Sequence, residues 1–204
     1  MNYSIEYNIF RNMQLAKRKK VFFTNDFLKF GNYKACNKAL ERLVGQKKIL
    51  RVGRGTYAIP KKSDLLGDIP PTSDDIVKAI VKRDHAQIIP TGLLAENLLG
   101  LSTQVPAKIV YLTDGSPRKL QIDGRTVIFK KTSPKNLASK GKISTLVIQA
   151  LKSIRKDRVT DYEIEKVINH LQRENPKYVA HDMKYAPLWI REIMNKAIIK
   201  LENQ

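Results

Sequence analysis

The sequence predicts an α+β protein in two parts, a small N-terminal unit of three helices and a hairpin and a larger mixed domain with a small antiparallel meander flanked by helices. Three observations predict it. Apolar residues keep a helical period from Ile5 to Val44, a glycine-bracketed hairpin follows, and a proline-rich stretch separates these elements from alternating strand-like and helix-like segments. The expected boundaries are 1–62 for the first domain, 63–72 for a linker and 73–204 for the second.

Ile5, Ile9, Met13 and Ala16 recur at spacings of four, four and three, which sets them on one stripe of a first helix that runs into a basic cluster at 17–20. Thr24 is expected to cap a short second helix, TNDFLKF, with Gly31 closing it in the left-handed conformation. Asn32 then caps a third helix, in which Ala35, Cys36, Ala39, Leu40, Leu43 and Val44 form the packed face. Lys34, Asn37, Lys38, Glu41 and Arg42 face away. Strand-like runs at 49–52 and 56–59 flank Gly53-Arg54-Gly55, a hairpin whose tip presents a cation. This order of elements is that of a winged helix-turn-helix. Pro60, Pro70 and Pro71 mark the linker.

In the second part, Ser73 opens a helix with Asp74 and Asp75 in its first turn, and AQIIP leads into a helix capped by Thr91 and stopped at Gly100. The runs KIVYLT, RKLQI and RTVIFKK, separated by DGSP and DG turns, predict the three-strand meander. Helices follow in ISTLVIQALKSI, after the capping box Thr160-Asp161-Tyr162-Glu163, and in PLWIREIMNKAIIKL. Trp189, Ile193 and Ile198 on the last helix suit core packing or a protein contact.

Charge gives the functional direction. The chain has 204 residues and a formal net charge of +19, more than solubility requires, and a polyanion is the expected partner. Residues 1–62 carry 15 basic and 3 acidic groups and residues 117–158 carry 12 and 2, whereas 63–116 carry 4 and 7 and 159–204 carry 7 of each. Lys34, Asn37, Lys38 and Arg42 supply the donors that base edges and phosphates accept, and Arg54 is expected in the minor groove or on phosphate. Arg51 and the 17–20 run are read as phosphate contacts. Double-stranded DNA, bound by two copies at an inverted repeat, is the expected target.

Catalytic signals are poor. Cys36 is the only cysteine, which excludes an internal disulfide and a cysteine-rich zinc site, and it belongs to the packed face. His85, His170 and His181 lack metal-ligand spacing and are read as structural or surface residues. Gly115-Ser116 begins like a nucleotidyltransferase motif, but only Asp123 follows where an acidic pair is needed, and 114–117 is read as a turn. Asp182-Met183-Lys184 could mimic the end of a nuclease metal motif and is read as a solvent-exposed loop. No enzyme, cofactor or metal is expected. A cytoplasmic location is expected because the N-terminus lacks a signal-peptide core, the chain shows no membrane-length apolar run, and the lone cysteine fits a reducing compartment.

The phrases RLVGQKKILRVGRGTYAIP, RDHAQIIPTGLLAENLLGLSTQVPAKIVYLTDGSPRKLQI and FKKTSPKNLASKGK together resemble the AbiEi-like antitoxins of type IV toxin-antitoxin systems, in particular a bacterial subfamily known only as a domain of unknown function. The resemblance covers about residue 5 to about residue 160. It implies a winged helix that represses its own operon and a C-terminal antitoxin domain. It also implies a nucleotidyltransferase-like toxin encoded alongside, counteracted without a need for a stable complex; the alternatives are a transcriptional regulator without a toxin and an enzyme whose second domain acts on nucleotides or nucleic acid. By this resemblance Lys38, Arg42 and Arg54 take the DNA-contact role. Lys119, Arg125, Lys130 and Lys131, on the strands of the second basic block, are the expected partner-facing residues; the alternative is that they only solvate a sheet edge.

Overall fold

The computed structural model describes residues 3–16, 21–63, 65, 67–122 and 124–202. It is mixed α and β, and it divides into two compact units, residues 1–83 with 121–123 and residues 84–120 with 124–204.

In the first unit, α1 (Ile5–Leu15) is capped by Ser4, whose hydroxyl accepts the Tyr7 N–H, and it buries Ile9 and Met13 as the period requires. A short strand, β1 (Val21–Phe23), precedes the 3-10 segment Thr24–Phe30, and α2 (Tyr33–Gly45) follows with the expected Asn32 cap, whose Oδ1 accepts the Ala35 N–H at 2.9 Å. β2 (Leu50–Gly53) and β3 (Thr56–Ala58) form the hairpin. β1 pairs antiparallel with the other side of β3, giving the strand order β1-β3-β2. The core joins Ile9 and Met13 of α1, Phe22 of β1, Phe27, Cys36, Ala39, Leu40 and Leu43 around α2, and Ile49 and Tyr57 of the hairpin.

Four sequence readings change here. β1 departs from the expected elements, because three apolar residues beside a basic run give no alternation to detect. Thr24 is not a cap. The Phe23 N–H is instead taken by the Asp26 carboxylate at 2.8 Å, and Thr24 is buried. Gly31 is extended (φ 167°, ψ 175°) rather than left-handed; glycine suits the site because a Cβ there would lie 2.8 Å from Ile5 Cδ1. The stretch read as linker contains its own small hairpin, β4 (Lys61–Ser63) with β5 (Gly67–Ile69), and α3 (Ser73–Asp84) groups, up to residue 83, with the first unit.

In the second unit, to which β8 belongs up to residue 120, β6 (Ile88–Thr91), α4 (Leu93–Leu98), β7 (Lys108–Thr113), β8 (Arg118–Ile122) and β9 (Arg125–Lys131) precede four helices: α5 (Lys142–Ile154), α6 (Asp161–Leu171), α7 (Pro176–Asp182) and α8 (Leu188–Glu202). Thr91 lies in β6, its hydroxyl donating to Val110 O, and the residue before α4 is Gly92. Gly100 ends α4 as expected. With φ +65° it lets its own N–H reach Asn97 O and the Leu101 N–H reach Glu96 O, both at 2.9 Å. The Thr160–Glu163 capping box opens α6. Ile190, Ile193, Met194 and Ala197 of α8 join the helical core with residues of α4 to α7, and Trp189 and Ile198 pack against it, so the stripe on the last helix is internal.

The expected antiparallel meander is not what forms. The strand order is β6-β7-β9-β8, with β7 and β9 parallel, Lys108 beside Thr126 and Thr113 beside Lys131. β7 and β9 carry continuous apolar runs (IVYL and VIF) and take the interior positions, whereas RKLQI alternates and takes the edge. The turn after β7 is bonded backwards, with the Gln87 N–H on Asp114 Oδ1 at 2.7 Å and Thr113 Oγ1 donating to Gln87 O at 2.8 Å, so it does not fold β8 back onto β7.

Candidate nucleic-acid interface

Helix α2 is set in place from one side only. Its packed side is held by Cys36, Ala39, Leu40 and Leu43; Lys34 and Lys38, one helical turn apart, are exposed on the other. The hairpin tip is a two-residue turn in which Gly55 takes φ +63°, and Arg54 is exposed beside it. A register shift between Arg51 and Gly53 bulges β2 next to this tip, and Arg51 is exposed on the same strand.

Buried Thr24 ties the helix to the hairpin. Its N–H donates to Gly55 O at 3.2 Å, and its hydroxyl donates to Asn37 Oδ1 at 2.9 Å. One residue therefore fixes the hairpin tip and the middle of α2 to a common point. The sequence pattern offers no sign of this, because a threonine before a helical run reads as a cap.

The predicted residues separate into two groups. Lys34, Lys38, Arg51 and Arg54 are exposed. Asn37 is half-buried with its amide oxygen engaged by Thr24, and Arg42 donates from Nε to Glu6 at 2.8 Å, while Gln46 Nε2 holds the other Glu6 oxygen at 2.7 Å. The Gln46 hydrogen bond and the Arg42 partner together hold the Glu6 carboxyl below its usual range against some desolvation. Arg42 thus braces α1 against the end of α2. The basic run at 17–20 lies outside the described residues. Cys36 is fully buried, its thiol donating towards Phe27 O, and burial pushes its pKa up, which suits a packing role.

In the second unit the four basic residues chosen from the sequence do not share one face. Along β9, Arg125 and Lys131 fall in the same every-second-residue series as buried Val127 and Phe129, so they lie on one side of the sheet and Lys130 on the other. Arg118 stacks on the Phe129 ring at 5.8 Å, which places Lys119 of β8 on the side of Lys130. Arg125 also stands at the opposite end of the strand from Lys130 and Lys131.

The Asp182 region differs most from its sequence reading. Asp182 is fully buried at the end of α7 rather than in an exposed loop. It accepts the Lys140 and Gly141 N–H groups at 2.8 Å, the Ser144 hydroxyl at 2.5 Å and His181 Nδ1 at 2.7 Å. Desolvation raises its pKa, but these bonds outweigh it and the carboxyl sits below its ordinary value. The arrangement fastens the start of α5 to α7. Ser144 and His181 both meet the carboxylate, and neither is aligned to activate the other. His170 Nε2 meets Leu99 O at 2.9 Å, at the end of α4, and His85 is exposed with φ 49°. Among the described residues no group of three His, Cys, Asp or Glu is placed to hold a metal, and no helix is long and apolar enough to cross a membrane.

No curated protein matches the chain. A family model described as a family of unknown function, DUF6088, matches residues 8–179. That match spans both units and most of the sequence, and the chain belongs to DUF6088.

Proposed function

We propose that the first unit is a winged helix that binds operator DNA, with Lys34 and Lys38 of α2 in the major groove and Arg54 of the hairpin beside it on phosphate or in the minor groove. The observation that carries this reading is the Thr24 junction, which holds an exposed lysine face and an arginine-tipped turn to one buried residue. Preorganised donors on rigid elements are what base and phosphate contacts require. Asn37 retains its amide N–H₂ for an acceptor; Arg42 is a weaker candidate because of Glu6.

The DNA-binding unit serves a cytoplasmic, non-enzymatic autorepressor, and the resemblance to AbiEi-like antitoxins supports the further role of counteracting a nucleotidyltransferase-like toxin encoded beside it. Two copies on an inverted repeat would extend the short contact that one winged helix makes.

A reporter fused to the gene's own upstream region tests the repressor. The protein is expected to lower expression, and Lys38→Ala with Arg54→Ala to restore it with protein levels unchanged. Co-expression with the neighbouring gene product, read as growth, tests the antitoxin role. Repression that persists in the folded double variant contradicts the interface, and toxicity that the protein does not relieve contradicts the antitoxin reading.

A further inference from the structure

The parallel pairing of β7 and β9 has a chemical consequence at one end of the sheet. Because Thr113 lies beside Lys131 and the Thr132 N–H continues the pairing onto Thr113 O, both strands end at the same edge. The segments leaving them are Ser116-Pro117-Arg118-Lys119 and Ser133-Pro134-Lys135-Asn136, two Ser-Pro-basic turns 17 positions apart in the chain. Lys119, Lys130, Lys131 and Lys135 are all exposed there, Lys130 and Lys131 on opposite sides of the strand.

The carboxylates at this end are already engaged. Asp114 accepts the Gln87 N–H, and Asp84 forms an ion pair with Arg118. From residue 124 to residue 156 the sequence contains no acidic residue at all, against nine Lys and Arg. The loop bearing Lys135 is held in place. Asn136 Nδ2 donates to Thr132 Oγ1 at 2.7 Å, the Asn136 N–H donates to Ser133 O at 3.0 Å, and Leu137 is buried.

We infer that this end of the β7–β9 sheet is a second polyanion site, formed by Lys119, Lys130, Lys131 and Lys135, that takes the phosphodiester backbone of a nucleic acid. Four ammonium groups without carboxylate partners among the described residues, on ordered strand ends and an ordered loop, match a line of phosphates, which needs positive charge but no base-specific geometry. Arg125 lies outside the site, at the far end of a seven-residue strand about 20 Å long. The site shares no residue with the α2 and hairpin surface and binds without sequence preference.

The test uses the full chain carrying Lys34→Ala, Lys38→Ala and Arg54→Ala, so that the first surface is weakened, and measures anisotropy of labelled 20-nucleotide duplex DNA and single-stranded RNA across a salt series. Changing Lys119, Lys130, Lys131 and Lys135 to Gln is expected to weaken binding at least tenfold and to flatten the log–log salt slope on duplex DNA by about 3 to 4, near 0.9 for each phosphate no longer neutralised. A charge-matched control, Lys177, Lys184, Lys196 and Lys200 to Gln, is expected to change it less than threefold. A selective loss on duplex assigns DNA as the ligand, and one on single strands assigns RNA. Equal losses in the two quadruple variants, or no loss on either polymer while circular dichroism shows a folded chain, overturn the site. Failure of the α2 surface leaves this comparison intact, because the parent already lacks it.

Discussion

In the first unit the described strand pairs are antiparallel, and β2 and β3 close through two residues; in the second, β7 and β9 lie side by side in parallel with the whole of β8 between them in the chain. The β2–β3 hairpin follows from contacts near in sequence and from a glycine that must take positive φ, whereas β1 joins β3 from 33 to 37 positions away. The second depends on which strand has both faces covered, a property of the tertiary packing. The polar anchors differ in the same way. Thr24 joins elements 13 and 31 positions away with neutral hydrogen bonds, whereas Asp182 reaches back about 40 positions with a buried charge. The second unit thus gathers four donors on one buried charge where the first uses a neutral hydroxyl and a backbone bond, and the variants below test that contrast.

Asp182→Ala should show the largest effect. It leaves the buried Gly141 N–H and the part-buried Lys140 N–H without their acceptor and the Ser144 hydroxyl with only its longer bond to Gly141 O, at a cost of about 3 kcal/mol by urea denaturation. The same carboxylate gives the second unit an acid sensitivity. Its folded pKa is depressed, so its contribution is complete above the ordinary Asp range and is lost as pH falls through the lower folded value. Stability should therefore decline below about pH 4, and that part of the decline should be absent in Asp182→Asn. A pH profile shared by both proteins would show that the buried charge is not the source.

Thr24→Val should cost less, about 1 kcal/mol, since it removes one neutral hydroxyl bond and keeps the backbone bond to Gly55. Its effect on duplex binding should exceed its effect on stability, because the Asn37 amide is released and the hairpin tip is less firmly set against α2. Equal binding by Thr24→Val and the parent would remove Thr24 from the interface. The smallest effect is expected from Glu6→Gln. The Glu6–Arg42 pair is largely exposed on the arginine side, so stability should change by under about 1 kcal/mol. Duplex affinity should rise slightly as a negative charge leaves and Arg42 is freed, and a fall in affinity would show that the brace matters more than the charge.

What the sequence makes legible follows the same division. The α1 stripe, the Asn32 cap, the packed face of α2, the Arg54-Gly55 turn, the Gly100 stop and the Thr160 capping box are local patterns, and each stands where the residues place it. β1 escapes detection because three residues carry no period, and Thr24 and Gly31 depart from their local preferences because burial and a close approach to Ile5 override them. The meander does not form because turn signals report a reversal without saying which strand receives it. Asp182 could not have been found by spacing, since its four donors come from 140, 141, 144 and 181. Among the site residues, exposure of Lys34, Lys38, Arg51 and Arg54 is legible from helical and hairpin geometry; the engagement of Asn37 and Arg42 is not.

We propose that the exposed side of α2 and the hairpin tip read DNA. The most direct measurement is anisotropy of the full chain with a labelled duplex from its own upstream region and with a scrambled duplex of equal length, across salt, for the parent and for Lys38→Ala with Arg54→Ala. Tighter binding to the native duplex, a steep salt dependence, and a loss of about 1 to 3 kcal/mol in the variant for each residue that reads a base are expected. Unchanged native-duplex affinity in a double variant that remains folded would contradict the proposal.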